Sequence, residues 1–208
     1  MERMWASATS LADTPIECVW FIDSDDEDSI KKSEEMGTKH LVKPRGSVVL
    51  SQGTNLCYDL TKKDIIMCAG DDLIFRTKNW SSYVENAFNK YPDRILLCGG
   101  HDGLNKELIT HPFIHRNWIE TIGRVVPDFF RDCYVDTWLT DVAKMIGRFE
   151  RLPIMIEHMH FSSGKGEFDQ TAQERMSKIN QGDEAGKIYL STKLDRIKEA
   201  QKLLSVIK

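Results

Sequence analysis

The sequence predicts an α/β domain, with a mostly parallel central sheet flanked by helices and a C-terminal helical extension. Three observations carry the prediction. Short apolar runs alternate with segments of helical periodicity along most of the chain. The run over residues 65–68 is apolar without polar alternation, the pattern of a strand covered on both faces, and residues 17–22 read as a second buried strand. From about residue 170 onward only helical patterning remains. The expected division is an α/β domain over residues 1–168 and the extension over 169–208.

The 208 residues are 41% hydrophobic and 29% charged, enough to bury a core without disulfides or zinc. A net charge of -4 argues against a broad basic surface for nucleic acid. The five cysteines are odd in number, widely spaced and free of any Cys-x-x-Cys, which reads as a reducing compartment and an expected cytoplasmic location. No apolar run is long enough to span a membrane, and the amino end has no signal-peptide apolar core.

Taken in order, Met4, Trp5, Ala8 and Leu11 predict a helix over residues 1–13, ended by Thr14-Pro15. A strand over 17–22 runs into the acids Asp23, Asp25 and Asp26. A helix over 27–36 follows, capped by Gly37. A short strand over 40–43 closes at Pro44-Arg45-Gly46, and a helix over 48–60 is expected to turn Leu56 and Leu60 inward. The segment 64–75, DIIMCAGDDLIF, repeats the strand–acid arrangement, with Gly70 read as the residue that permits a sharp turn. Beyond it the patterning predicts a helix over 80–89 and strands over 93–98 and 108–114, the latter carrying His111 with His115 just beyond it. Helices over 116–122 and 136–146 and a strand over 152–157 follow. Helices over 170–179 and 185–208 end the chain. Leu190, Leu194, Ile197, Leu204 and Ile207 form a stripe suited to core docking or to homodimer packing.

In an open α/β sheet, ligands bind beyond the carboxyl ends of the strands. Three features fall there: Asp23 with Asp25 and Asp26, Asp71 with Asp72, and His158 with His160. Carboxylate oxygens with an imidazole suit Mn²⁺ or Mg²⁺ beside a phosphate. Each has a plainer reading, as a solvated acidic turn or as a packed histidine satisfied by hydrogen bonds. Asp136, at the entrance of a helix, serves either as its cap or as a general base; Asp141 lies five residues on.

The ordered set Met4-Trp-Ala-Ser-Ala8, Trp20-Phe-Ile-Asp23, Asn55, Gly70-Asp-Asp72, Trp80, Asp136-Thr-Trp-Leu139 and Glu157-His-Met-His-Phe161 resembles glycosyltransferases of the A-type fold, close to small family-2-like enzymes of phage and bacteria. The resemblance implies transfer of a sugar, with inversion, from a nucleotide-diphosphate donor, chiefly a UDP-sugar, to a hydroxyl of a glycan or a modified nucleobase. It implies Asp23, Asp25, Arg45 and Asp71 at the donor, Asp71, Asp72, His158 and His160 at the metal, and Asp136 as base. Members of that family begin with a buried strand ending in a Pro-Thr-Arg-like loop, and this chain begins at the following helix. Either the start is truncated, or the sheet is rearranged, or donor binding is lost; a simple central gap is not expected, because it would leave two rows of backbone groups unpaired. Two rivals remain. Asp23-Ser-Asp25 also resembles the acid pair of haloacid-dehalogenase-type phosphatases, although Glu27 stands where those prefer threonine or valine. A catalytically inactive sugar-binding relative is the other.

Overall fold

Strand β1 (Val19–Asp23) follows helix α1 (Glu2–Leu11), which buries Met4 and Ala8. The computed structural model describes residues 1–131, 133–161, 164–166, 173, 176–177 and 183–208. Helix α2 (Glu27–Glu35) starts on Asp26, whose carboxylate accepts the Ser29 amide at 3.0 Å and satisfies one open donor of the first turn. Gly37, at φ +64°, ends it in the left-handed region. Strand β2 (Lys39–Lys43) then lies parallel to β1, with Val19 opposite Lys39 and Asp23 opposite Lys43.

The chain continues through α3 (Leu50–Asp59), β3 (Ile65–Met67), β4 (Leu73–Phe75), α4 (Trp80–Asn89), β5 (Leu97–His101) and β6 (Phe113–His115). Helices α5 (Arg116–Ile122) and α6 (Val135–Met145) precede the long strand β7 (Phe149–His158). The last described elements are α7 (Glu184–Ser191) and α8 (Lys193–Leu204). The expected helix over 170–179 falls largely outside the described residues.

The expectation of a mostly parallel sheet is corrected. Five strands form a mixed sheet in the order β3-β6-β5-β7-β4, in which only β5 and β7 are parallel neighbours. The physical reason is in the connections. No helix separates β3 from β4, so β4 lands at the opposite edge, antiparallel to β7. Strand β6 follows β5 through a loop and folds back between β5 and β3. Alternating apolar runs and helices do not encode either choice. The pair β1–β2 forms a second sheet of its own, not hydrogen-bonded to β3. A central gap, which backbone pairing was expected to forbid, is present.

Successive residues of the β5 segment face opposite sides, and they divide the core. Ile95 and Leu97 join Trp118, Phe130 and Trp138 on one side. Leu96 and Cys98 join Phe75, Trp80 and Phe88 on the other. Helix α8 packs into the first of these cores through Ala200 and Leu203, alongside α5 and α6.

Two inward faces differ from expectation. Leu56 and Leu60 are exposed; α3 turns in Ser51, whose hydroxyl donates to the Phe130 carbonyl at 3.0 Å, and Gly53, against which the Phe21 ring lies. On the last helices Leu190 and Leu194 are 73% and 68% exposed and Leu204 is exposed too. The buried face of α8 is instead Arg196, Glu199, Ala200 and Leu203. Glu199 accepts the Trp138 indole N–H at 2.7 Å and the Arg124 guanidinium at 2.9 Å. Arg196 lies over the Tyr189 ring, 3.9 Å from its centroid, and pairs with Asp141 at 3.4 Å. Charged groups with partners in the core have displaced leucines to the outside.

Candidate functional site

Asp72 immediately precedes β4, and His158 ends β7. Leu73 lies opposite His158 in the antiparallel ladder, so the two side chains are brought together. Asp72 Oδ2 and His158 Nε2 are 3.0 Å apart, and the Met159 amide donates to the Asp72 carbonyl at 2.8 Å. Burial works to raise the Asp72 pKa, but the hydrogen bond and charge of His158, with a contribution from His111, hold it below the usual carboxylate value. Gly70 serves this pair by proximity rather than by a turn that needs positive φ. A Cβ there would stand 2.6 Å from Asp72 Oδ1.

His111, in the loop before β6, completes the cluster. Its ring meets that of His158 edge to face, with centroids 4.7 Å apart. Its Nε2 is enclosed and has no hydrogen-bond partner among the described residues. Burial, reinforced by the neighbouring His158, pushes its pKa down to about 4, although Asp72, Asp102 and a hydrogen bond to the Cys68 backbone favour the charged form. Behind it, the buried Asp102 shapes the β5–β6 loop by accepting the Leu104 and Asn105 amides and the Thr110 hydroxyl. Its carbonyl accepts the His158 amide. His160 lies next to His158, with ring centroids 5.1 Å apart.

Asp136 stands inside the first turn of α6 rather than before it, and its Oδ1 accepts the Thr137 amide at 2.8 Å. Its charge acts on Cys68, the residue after β3. Burial first, and then the Asp136 charge, push the Cys68 thiol up to about 12. Asp71 points elsewhere: its carboxylate is 64% exposed and pairs with the Met1 amino group at 3.5 Å. Asp23 and Asp25 are joined by Arg45, which contacts them at 3.1 Å and 2.7 Å. The Arg45 hydrogen bond holds the Asp25 carboxyl below its ordinary value. That clamp occupies both carboxylates on which a phosphatase reading depends.

The structure thus groups Asp72, His158 and His160 and adds His111, while Asp136 acts by its charge on Cys68. Asp71 and the Asp23–Asp25–Arg45 clamp are separate arrangements. Among the described residues, no three His, Cys, Asp or Glu side chains converge as a ready-made metal site. Asp141 and Asn55 are structural. Asp141 serves the docking of α7 and α8, and Asn55 pins the loop over 125–128 through its amide. His111 was legible in the sequence only as a histidine near a predicted strand, and no spacing tied it to His158. No family model and no curated protein matches this chain. Among the described residues, no helix is long and apolar enough to cross a membrane.

Proposed function

We propose that the chain is a Mn²⁺- or Mg²⁺-dependent glycosyltransferase that moves a sugar from a nucleotide-diphosphate donor, a UDP-sugar first among them, to an acceptor hydroxyl with inversion. The observation that supports it is the Asp72–His158 contact at 3.0 Å with the enclosed, unpartnered Nε2 of His111 beside it. A carboxylate oxygen and an imidazole nitrogen suit such a cation, and hard-cation sites of this kind take their remaining ligands from phosphate oxygens and water. Two protein donors therefore suffice where three do not converge. Bound there, the cation would neutralise charge on the departing diphosphate.

On this reading Asp136 takes the proton of the acceptor hydroxyl. Its carboxylate, in the first turn of α6, is a group of the kind a base requires. Arg45, with Asp23 and Asp25, would face the nucleoside end of the donor, and the acceptor would be a glycan or a modified nucleobase. Titration calorimetry with UDP and other nucleoside diphosphates, with and without Mn²⁺, tests the reading. Binding is expected only with Mn²⁺, and to weaken roughly tenfold or more in Asp72→Asn. Asp136→Asn is expected to bind as the parent does and to transfer no sugar. Absence of binding by every nucleoside diphosphate in the presence of Mn²⁺ would sink it.

A further inference from the structure

Strands β1 and β3 face each other across a cavity of about 660 Å³. Cys18, Val19 and Trp20 line it from one side and Ile65, Ile66 and Met67 from the other; Trp5 and Ala8 of α1 and Tyr58 of α3 belong to the same lining. Among the described residues both strands have one partner only, β2 for β1 and β6 for β3.

The ladders show which backbone groups turn toward the cavity. The Cys18 carbonyl accepts the Lys39 amide and the Ser24 amide donates to the Lys43 carbonyl, so even-numbered residues of β1 serve β2. Val19 and Phe21 therefore present their N–H and C=O to the other side. The Asp64 carbonyl accepts the Arg116 amide and the Cys68 amide donates to the Pro112 carbonyl, which assigns Ile66 to β6 and turns Ile65 and Met67 outward. Among the described residues, no further hydrogen bond engages these four residues' backbone groups. An unpaired strand edge is a template for a further strand, and two such rows facing one another are the two sides of a missing ladder.

The two edges also run the same way. Glu17, before β1, is hydrogen-bonded to Thr61, before β3, and Lys63 Nζ donates to the Pro15 carbonyl at 3.2 Å. Their amino ends thus lie together. From these observations we infer that the slot between β1 and β3 binds one extended apolar peptide strand that residues 1–208 do not themselves supply, joining β1–β2 and the five-stranded sheet into one. The strand is about five residues long, matching β1, or ~17 Å at ~3.3 Å per residue. It is apolar on both faces, because α1 covers one and α3 the other. Residues 1–208 have no such segment to spare: the long stretch between β7 and α7 is polar, SSGKGEFDQTAQERMSKINQG over residues 162–182. A second copy has none for the same reason. The inference is independent of the transfer reading.

The test adds a lysine-flanked Val/Ile heptapeptide to the 208-residue protein and follows amide hydrogen exchange. Exchange at Val19, Phe21, Ile65 and Met67 is expected to slow roughly tenfold or more on binding. The same peptide methylated on alternate backbone nitrogens, unable to donate along one edge, is expected not to bind. Three outcomes overturn the proposal: no binding up to the peptide's solubility, binding that leaves those four amides unchanged, or equal binding of the methylated peptide. Protection that rises with protein concentration alone assigns the slot to a second copy and overturns it as well.

Discussion

His111 makes stability depend on pH in a definite direction. Its folded pKa is about 4 against an ordinary 6.5. As pH falls through 6.5, the unfolded chain gains a proton that the folded chain refuses until near pH 4. Stability is therefore full above the ordinary value and declines between the two, by on the order of 3 kcal/mol. Urea denaturation at pH 7 and pH 4.5 measures it. His111→Gln should lose much of this decline, and an unchanged decline in that variant would place its origin elsewhere. At this scale the sequence was legible where chemistry and position coincided. Asp72 and His158 each stand at a strand end, and the β4–β7 ladder joins them. His111 was not legible, because its partner lies far along the chain and only the fold supplies the contact. Asp71, although adjacent to Asp72, faces the other way and meets the amino terminus.

At the scale of elements, the last helix is held by charge within a core. Glu199 receives both Trp138 and Arg124, so removing it leaves an indole N–H and a guanidinium without their acceptor. Glu199→Ala should cost about 3 kcal/mol, read as a lower urea midpoint, and should open α8 to limited proteolysis. A midpoint equal to that of the parent would show that Ala200 and Leu203 suffice to dock the helix. This docking also explains the misread stripe. Hydrophobic periodicity finds a face by counting leucines, and here the inward face contains an arginine and a glutamate. Where the buried face is apolar, as in α4 and α5, the sequence marked the elements closely. Gly123, at φ +91°, ends α5 where a C-terminal glycine is expected.

Across the whole molecule, β1, α2 and β2 form a unit joined to the five-stranded sheet by helix packing and side chains, without shared strand hydrogen bonds. Such a unit opens below the global unfolding energy. Native-state exchange should show β1–β2 amides exchanging through a lower-energy opening than Leu97 and Cys98, which are paired on both sides in the centre of the larger sheet. Equal opening energies would mean that the two sheets unfold together. The alternation of strands and helices announced an α/β fold, but strand order is a property of connections, and residues 68–72 carry no signal for the edge that β4 joins.

The space between β1 and β3 also has a mechanical consequence. The two strand edges leave about 660 Å³ between them, in part open to solvent. Hydrostatic pressure favours whichever state occupies less volume, so filling this space with a strand should change the pressure at which the protein unfolds. High-pressure fluorescence should find a midpoint that moves upward when the heptapeptide fills the slot.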